Sequence, residues 1–142
     1  MTENRVLVIA SGNQGKIREF QGLLSGLPLL VDSQPDGLEV EETGTTFAAN
    51  ARIKALAVAK ATGHWALADD SGLSVTALNG APGVHSARYA PTDPERIQKL
   101  LAALLNCPQR GAYFSAALCV AAPDGQVSVS YTHLTLPTNL RV

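Results

Sequence analysis

Residues 5–16 read RVLVIASGNQGK, and residues 17–24 continue IREFQGLL. Arg5 to Ala10 is a short unbroken run rich in β-branched side chains, the pattern of a strand covered on both faces. Ser11 to Lys16 carries turn-forming residues, and from Lys16 onward Ile17, Phe20, Leu23 and Leu24 recur at helical spacing. A strand, a tight turn and a helix in that order open an α/β protein.

Outward from that unit the same alternation continues. Leu29 to Asp32 is a candidate second strand, and Ser33 to Thr45 is polar and irregular, holding Glu39, Glu41 and Glu42. Phe47 to Thr62 is rich in alanine without glycine or proline, which favours a helix with Thr46 as its N-cap. His64 to Ala68 reads as a strand leading into Asp69-Asp70-Ser71-Gly72, and Leu73 to Leu78 as another, which puts the two acids at a bend. Asn79 to Pro91 is a long loop of Gly and Pro. Thr92 to Glu95 forms a capping box before Ile97, Leu100, Leu101, Leu104 and Leu105, the stripe of an amphipathic helix. Ala112 to Ala122 is a strand, Asp124-Gly125 a hairpin turn, and Gln126 to Ser130 the start of the returning partner. The fold class expected is α/β, a mixed central twisted sheet flanked by helices. Residues 130–142, SYTHLTLPTNLRV, break this pattern, and Pro137 shortens any strand there. The expectation is a domain over residues 1–129, followed by a non-native read-through tail at 130–142 that completes no long hairpin.

Composition narrows the function. The 142 residues are 46% hydrophobic and 16% charged, enough apolar material for one core and too little charge for a disordered tail. Eleven basic and twelve acidic side chains leave a net charge of −1, against a general surface for nucleic acid or an anionic membrane. The run from Val6 to Ala10 is too short to span a membrane, so a soluble cytoplasmic protein is expected. Cys107 and Cys119 suit neither a metal knuckle nor a disulfide framework. The three histidines, His64, His85 and His133, are scattered too widely for zinc or for a nucleophile–base pair.

Two segments could carry chemistry. Ser11, Gly12, Asn13, Gln14, Gly15 and Lys16 lie where a strand gives way to a helix, where free N–H groups and the helix dipole favour an anion. The spacing is not that of the triphosphatase loop G-x-x-x-x-G-K-[ST], and a plain capped turn is the simpler reading. Asp69 and Asp70 follow an apolar run, so one of them should approach the core, where an unpaired charge is costly. A divalent metal would neutralise it, with Glu41 or Glu42 as a further ligand; an ordinary Asx turn is the rival reading. Arg88 could reach phosphate or be a solvated surface side chain.

Taken in order, Ser11-Gly12-Asn13 to Lys16, Glu41-Glu42-Thr43-Gly44, Thr46-Phe47, Asn50-Ala51, Lys54-Ala55, Ala68-Asp69-Asp70-Ser71-Gly72-Leu73, Gly80-Ala81-Pro82-Gly83-Val84 and Ser86-Ala87-Arg88-Tyr89 resemble one family. It is that of the inosine triphosphate or dITP/XTP pyrophosphatases, and the likeness runs from about Val6 to Asp124. The resemblance implies a two-lobed fold and cleavage of non-standard purine nucleoside triphosphates (ITP, dITP, XTP) to monophosphate and pyrophosphate, with Mg2+, usually by a homodimer. It also implies that Ser11 to Lys16 hold the triphosphate, that Ser71 contacts substrate, and that Glu41, with Glu42 as its alternative, binds metal. Asp70 would be metal ligand and proton acceptor for water, assisted by Asp69.

Two departures stand out. Ala49 occupies a position where the family has Glu, the third residue after the Thr46 cap, so a capping box is lost at about 1 kcal/mol. The family's later Phe-Gly-Tyr-Asp, Lys and Ser-His-Arg elements, which hold the base, are absent, so a C-terminally truncated chain with impaired base selection is expected. Two rivals follow: a non-catalytic nucleotide- or phosphate-binding remnant, and a phosphoaspartyl phosphatase. The latter ordinarily spaces its acids D-x-D after the first strand, unlike Asp69-Asp70.

Overall fold

A computed structural model describes residues 5–135. Five strands form one sheet in the order β2-β1-β3-β4-β5. β1 (Arg5–Ile9) lies between β2 (Leu29–Ser33) and β3 (Trp65–Val75) and is parallel to both; β4 (Ala112–Ala121) and β5 (Val127–Thr135) continue the sheet antiparallel. This is the mixed, helix-flanked sheet that the alternation of elements leads one to expect.

Alternation along β1 sorts the core into two layers. Leu7 and Ile9 pack with Leu67 against Ile17 and Phe20 of α1 (Gln14–Leu23) and its C-cap Leu24. Val8 and Ala10 face the other way, with Ala66 and Ala68, against Phe47, Ala51, Ala55 and Val58 of α2 (Phe47–Thr62). The small residues on α2 and β3 let helix and sheet approach closely, and Gly63 ends α2 in the left-handed region at φ 71°. α3 (Asp93–Ala103) covers a third cluster of Val75, Leu100, Leu104 and Ala112. Of its expected stripe, Leu100 and Leu104 are buried, while Ile97, Leu101 and Leu105 remain exposed.

Two expectations are corrected. The acids sit at no bend, because β3 runs unbroken from Trp65 to Val75 and each residue from Ala66 to Val75 has a partner on β4. Ten consecutive rungs outweigh the local turn preference of Asp-Asp-Ser-Gly. The hairpin is also complete. β5 crosses the boundary placed at residues 129/130 and pairs in register with β4 from Val127↔Ala121 to Thr135↔Tyr113. Residues 136–142 of the expected tail lie outside the described residues. The segment 79–91 holds a 3₁₀ stretch, Gly83–Arg88, where an irregular loop was expected. Among the described residues no helix is long and apolar enough to cross a membrane.

Candidate active site at the end of β1

The chain leaves β1 toward β2 on one side and returns through α2 to β3 on the other, so connections diverge beyond the carboxyl end of β1. Such a divergence leaves a crevice in a parallel sheet. Here the β1–β3 ladder stops at Ile9↔Leu67, and Ala10 N–H donates to the Leu67 carbonyl at 2.8 Å. β3 runs on past that point, carrying Asp69 and Asp70 along the crevice.

The Ser11–Lys16 turn is braced from within. Asn13 is the N-cap of α1: its Oδ1 accepts from Gly15 N–H at 2.9 Å and Lys16 N–H at 3.2 Å. Ser11 Oγ in turn accepts from Asn13 N–H at 3.0 Å. Two amides that a bare helix terminus would offer an anion are thus engaged, and the Lys16 ammonium is the turn's formal charge toward the crevice. It pairs with Asp69 Oδ2 at 3.0 Å.

Strand alternation sends the neighbouring acids to opposite faces. Asp69 shares the α1 face with Leu67, whereas Asp70 shares the α2 face with Ala66 and Ala68. Asp70 is only 9% exposed, and its Oδ2 is buried without a hydrogen-bond partner. Burial raises its pKa; the positive charge of Lys54 pulls it down, the negative charge of Glu42 pushes it further up, and the Asn50 amide and, least, Lys16 pull it down. Beside it Asn50, fully buried on α2, accepts through Oδ1 from Gly44 N–H at 2.7 Å, which pins the loop before α2.

Glu42 and Lys54 complete the constellation. Lys54 Nζ lies 3.0 Å from Glu42 Oε1 and also donates to the Asp69 carbonyl, while Arg88 Nη2 lies 3.5 Å from Glu42 Oε2. A pocket of about 220 Å³ is lined by Ser11, Gly12, Gln34, Val40, Glu42 and Lys54, so segments far apart in sequence share one concavity. Of the acids named from sequence, Asp69 and Asp70 stand at the crevice. Glu41 is exposed, and its neighbour Glu42 lies against Lys54 and Arg88. Ser71 is exposed on the Asp69 side of β3. Gly12 lies in the pocket, and Gln14 opens α1 at the surface.

Lys54 and Asn50 were given no role from sequence. Their signal was there: one turn apart on α2, they interrupt an alanine-rich helix on the side that meets β3. The segment 83–88 is held on β3 by Ser86, whose Oγ accepts from Leu73 N–H at 3.0 Å and donates to the Gly83 carbonyl at 2.6 Å. That approach needs Gly72, where a Cβ would lie 2.4 Å from the Gly83 oxygen.

The model of the Ham1 family matches residues 7–134. Among relatives, the chain is 76% identical to a dITP/XTP pyrophosphatase of Parasynechococcus marenigrum (strain WH8102), over 88% of this chain and 64% of the relative. It is 72% identical to a dITP/XTP pyrophosphatase of Synechococcus sp. (strain CC9311), over 87% of this chain and 60% of the relative. The chain therefore spans about three fifths of the length of these relatives. Among solved structures, a HAM1 protein from Coxiella burnetii superposes with a TM-score of 0.85 at 41% identity, covering 92% of this chain and 71% of that one. The match to the family model runs on to residue 134, past Asp124, where the likeness read from the sequence ends.

Proposed function

The chain belongs to the Ham1 family, and on that premise we propose that it hydrolyses non-standard purine nucleoside triphosphates, such as dITP and XTP, to the monophosphate and pyrophosphate. The observation that carries the proposal is Asp70: a buried carboxylate with one oxygen unpartnered, acted on by the charges of Lys54 and Glu42 and next along β3 to the Asp69 that pairs with Lys16. A carboxyl group whose pKa is raised by burial is a better proton acceptor than a solvated one, and it needs no covalent nucleophile beside it. In this reading Asp70 takes the proton of the attacking water. Lys16 compensates charge on the phosphates, its present partner Asp69 holding it over the crevice.

The residues suit a divalent cation of the magnesium type. Among the described residues no three His, Cys, Asp or Glu side chains cluster to cage a metal. Two carboxylates, Asp70 with its free oxygen and Glu42, are what magnesium takes from a protein when phosphates and water complete its shell. Glu42 replaces Glu41 in this assignment because it is the acid turned toward Lys54. When bound, the ion would neutralise phosphate charge and polarise the attacking water. The assembly is proposed as a homodimer and its location as the cytoplasm.

The test is pyrophosphate release from dITP, XTP and dGTP with and without Mg2+. Expected are Mg2+-dependent release, little discrimination of dITP and XTP from dGTP because the base-holding elements are absent from the sequence, and a loss of about 10³-fold or more in Asp70→Asn, the scale of removing a general base together with a metal ligand. Nucleotide binding without any release would instead support the non-catalytic alternative.

A further inference from the structure

The Glu42 carboxylate carries a cation on each oxygen, and the two are not equivalent. Lys54 is fixed: its side chain is 16% exposed, it stands 3.0 Å from Oε1, and its ammonium also donates to the Asp69 carbonyl. Arg88 is 56% exposed and stands 3.5 Å from Oε2. Its backbone is well anchored, since Ser86 ties the segment to β3 and Arg96 Nη2 donates to the Ala87 carbonyl at 2.6 Å. The guanidinium therefore swings from a fixed root.

We infer that Arg88 is a positioning residue that acts as a displaceable counter-ion. It holds the outer oxygen of Glu42 until a divalent cation arrives with a polyphosphate, then yields that oxygen and pairs with the phosphate. The inference rests on the reading above of Glu42 and Asp70 as the metal carboxylates.

The physics gives it a signature of opposite signs. A cation arriving alone must take Glu42 from Arg88 and leaves the guanidinium with no new anion, so Arg88 opposes it. A cation arriving on a polyphosphate brings the anion with it, and a planar guanidinium matches phosphate oxygens in bidentate fashion, so Arg88 favours the pair. A side chain that only braced the fold would weaken both or neither. The Arg88 end of its pair with Glu42 is more than half exposed, which keeps each effect modest.

The experiment measures binding of Mn2+ alone, by the loss of its free electron paramagnetic resonance signal, and of Mn2+ with inorganic tripolyphosphate by calorimetry. Wild type, Arg88→Gln, Arg88→Lys and Asp70→Asn are compared. Arg88→Gln is expected to bind Mn2+ alone about three- to tenfold more tightly and the Mn2+–tripolyphosphate pair about three- to tenfold more weakly. Arg88→Lys, which keeps the charge, should restore both toward wild type. Unchanged or weaker Mn2+ binding by Arg88→Gln, or a shift of the same sign for both ligands, overturns the inference while leaving the metal site intact. A wild type that takes up no Mn2+, or an Asp70→Asn that takes up as much, removes the metal site itself and this inference with it.

Discussion

An ionised Asp70 sits where little water reaches it, and burial raises its pKa above the ordinary 3.8. The folded state then holds the proton more tightly than the unfolded state does. Folding is penalised above the folded-state pKa, and the penalty disappears as the pH falls to 3.8 and below, where both states are protonated. Asp70→Asn should therefore gain stability where it loses turnover, with a higher Tm than wild type at pH 7.5. The difference from wild type should close on acidification toward pH 4. Thermal melts across that range check the sign, and a difference that widens in acid contradicts it. At this scale the acids of the site were partly legible. Asp70 stood out because it follows an apolar run. Between Glu41 and Glu42 the deciding signal was a period of two: Leu38 and Val40 turn inward onto the α2 cluster, and Glu42 continues that parity while Glu39 and Glu41 face outward. A stretch read as irregular conceals such a parity.

Elements whose signals are local were readable from sequence, and those completed by distant partners were not. The cap of α2 is where it was expected, Thr46 Oγ1 accepting from Ala49 N–H at 3.1 Å. The N-cap of α3 also forms, Thr92 Oγ1 accepting from Glu95 N–H at 3.4 Å, while Glu95 Oε2 accepts from the Thr92 hydroxyl at 3.1 Å. The unbroken β3 depends on β4, some forty residues on, and no local preference of Asp-Asp-Ser-Gly announces it. Gly72 is the hinge of that arrangement, since a methyl group there would meet the Gly83 oxygen, Ser86 Oγ and the Phe47 ring. Gly72→Ala should cost about 1–3 kcal/mol, as an overpacked site does, lowering Tm by roughly 3–10 °C. It should also loosen Arg88 by lifting the segment 83–88 off the strand. Denaturant melts read the first effect, and amide exchange at Leu73, whose N–H donates to Ser86 Oγ, reads the second. A melt within 1–2 °C of wild type would show that the segment yields without cost.

Across the whole molecule the two faces of the sheet are unequally covered. α1 shields β1 and β2, yet the same face of β4 leaves Phe114 47% and Leu118 40% exposed. A groove of about 570 Å³ runs beside them, lined by Phe20, Leu23, Leu24, Trp65, Leu118 and Val120. An apolar surface of this kind takes up apolar probes. The chain should enhance the fluorescence of an anilinonaphthalene dye, with energy transfer from Trp65, its single tryptophan. Leu118→Glu should cut that signal by about half or more while leaving Tm within about 2 °C, because a half-exposed side chain carries little of the core. Dye binding indifferent to the substitution would place the surface elsewhere.

Asp69 and Asp70 are covalent neighbours with separate correspondents: Lys16 on α1 for the first, Lys54, Glu42 and Asn50 around the second. In an alignment of relatives, substitutions at position 69 should covary with those at 16, and substitutions at 70 with those at 42, 50 and 54. Little covariation is expected across the single peptide bond that joins the two acids. An engineer could accordingly vary the Asp69–Lys16 pair from one side of the sheet, with only the charge of Lys16 felt at Asp70 on the other.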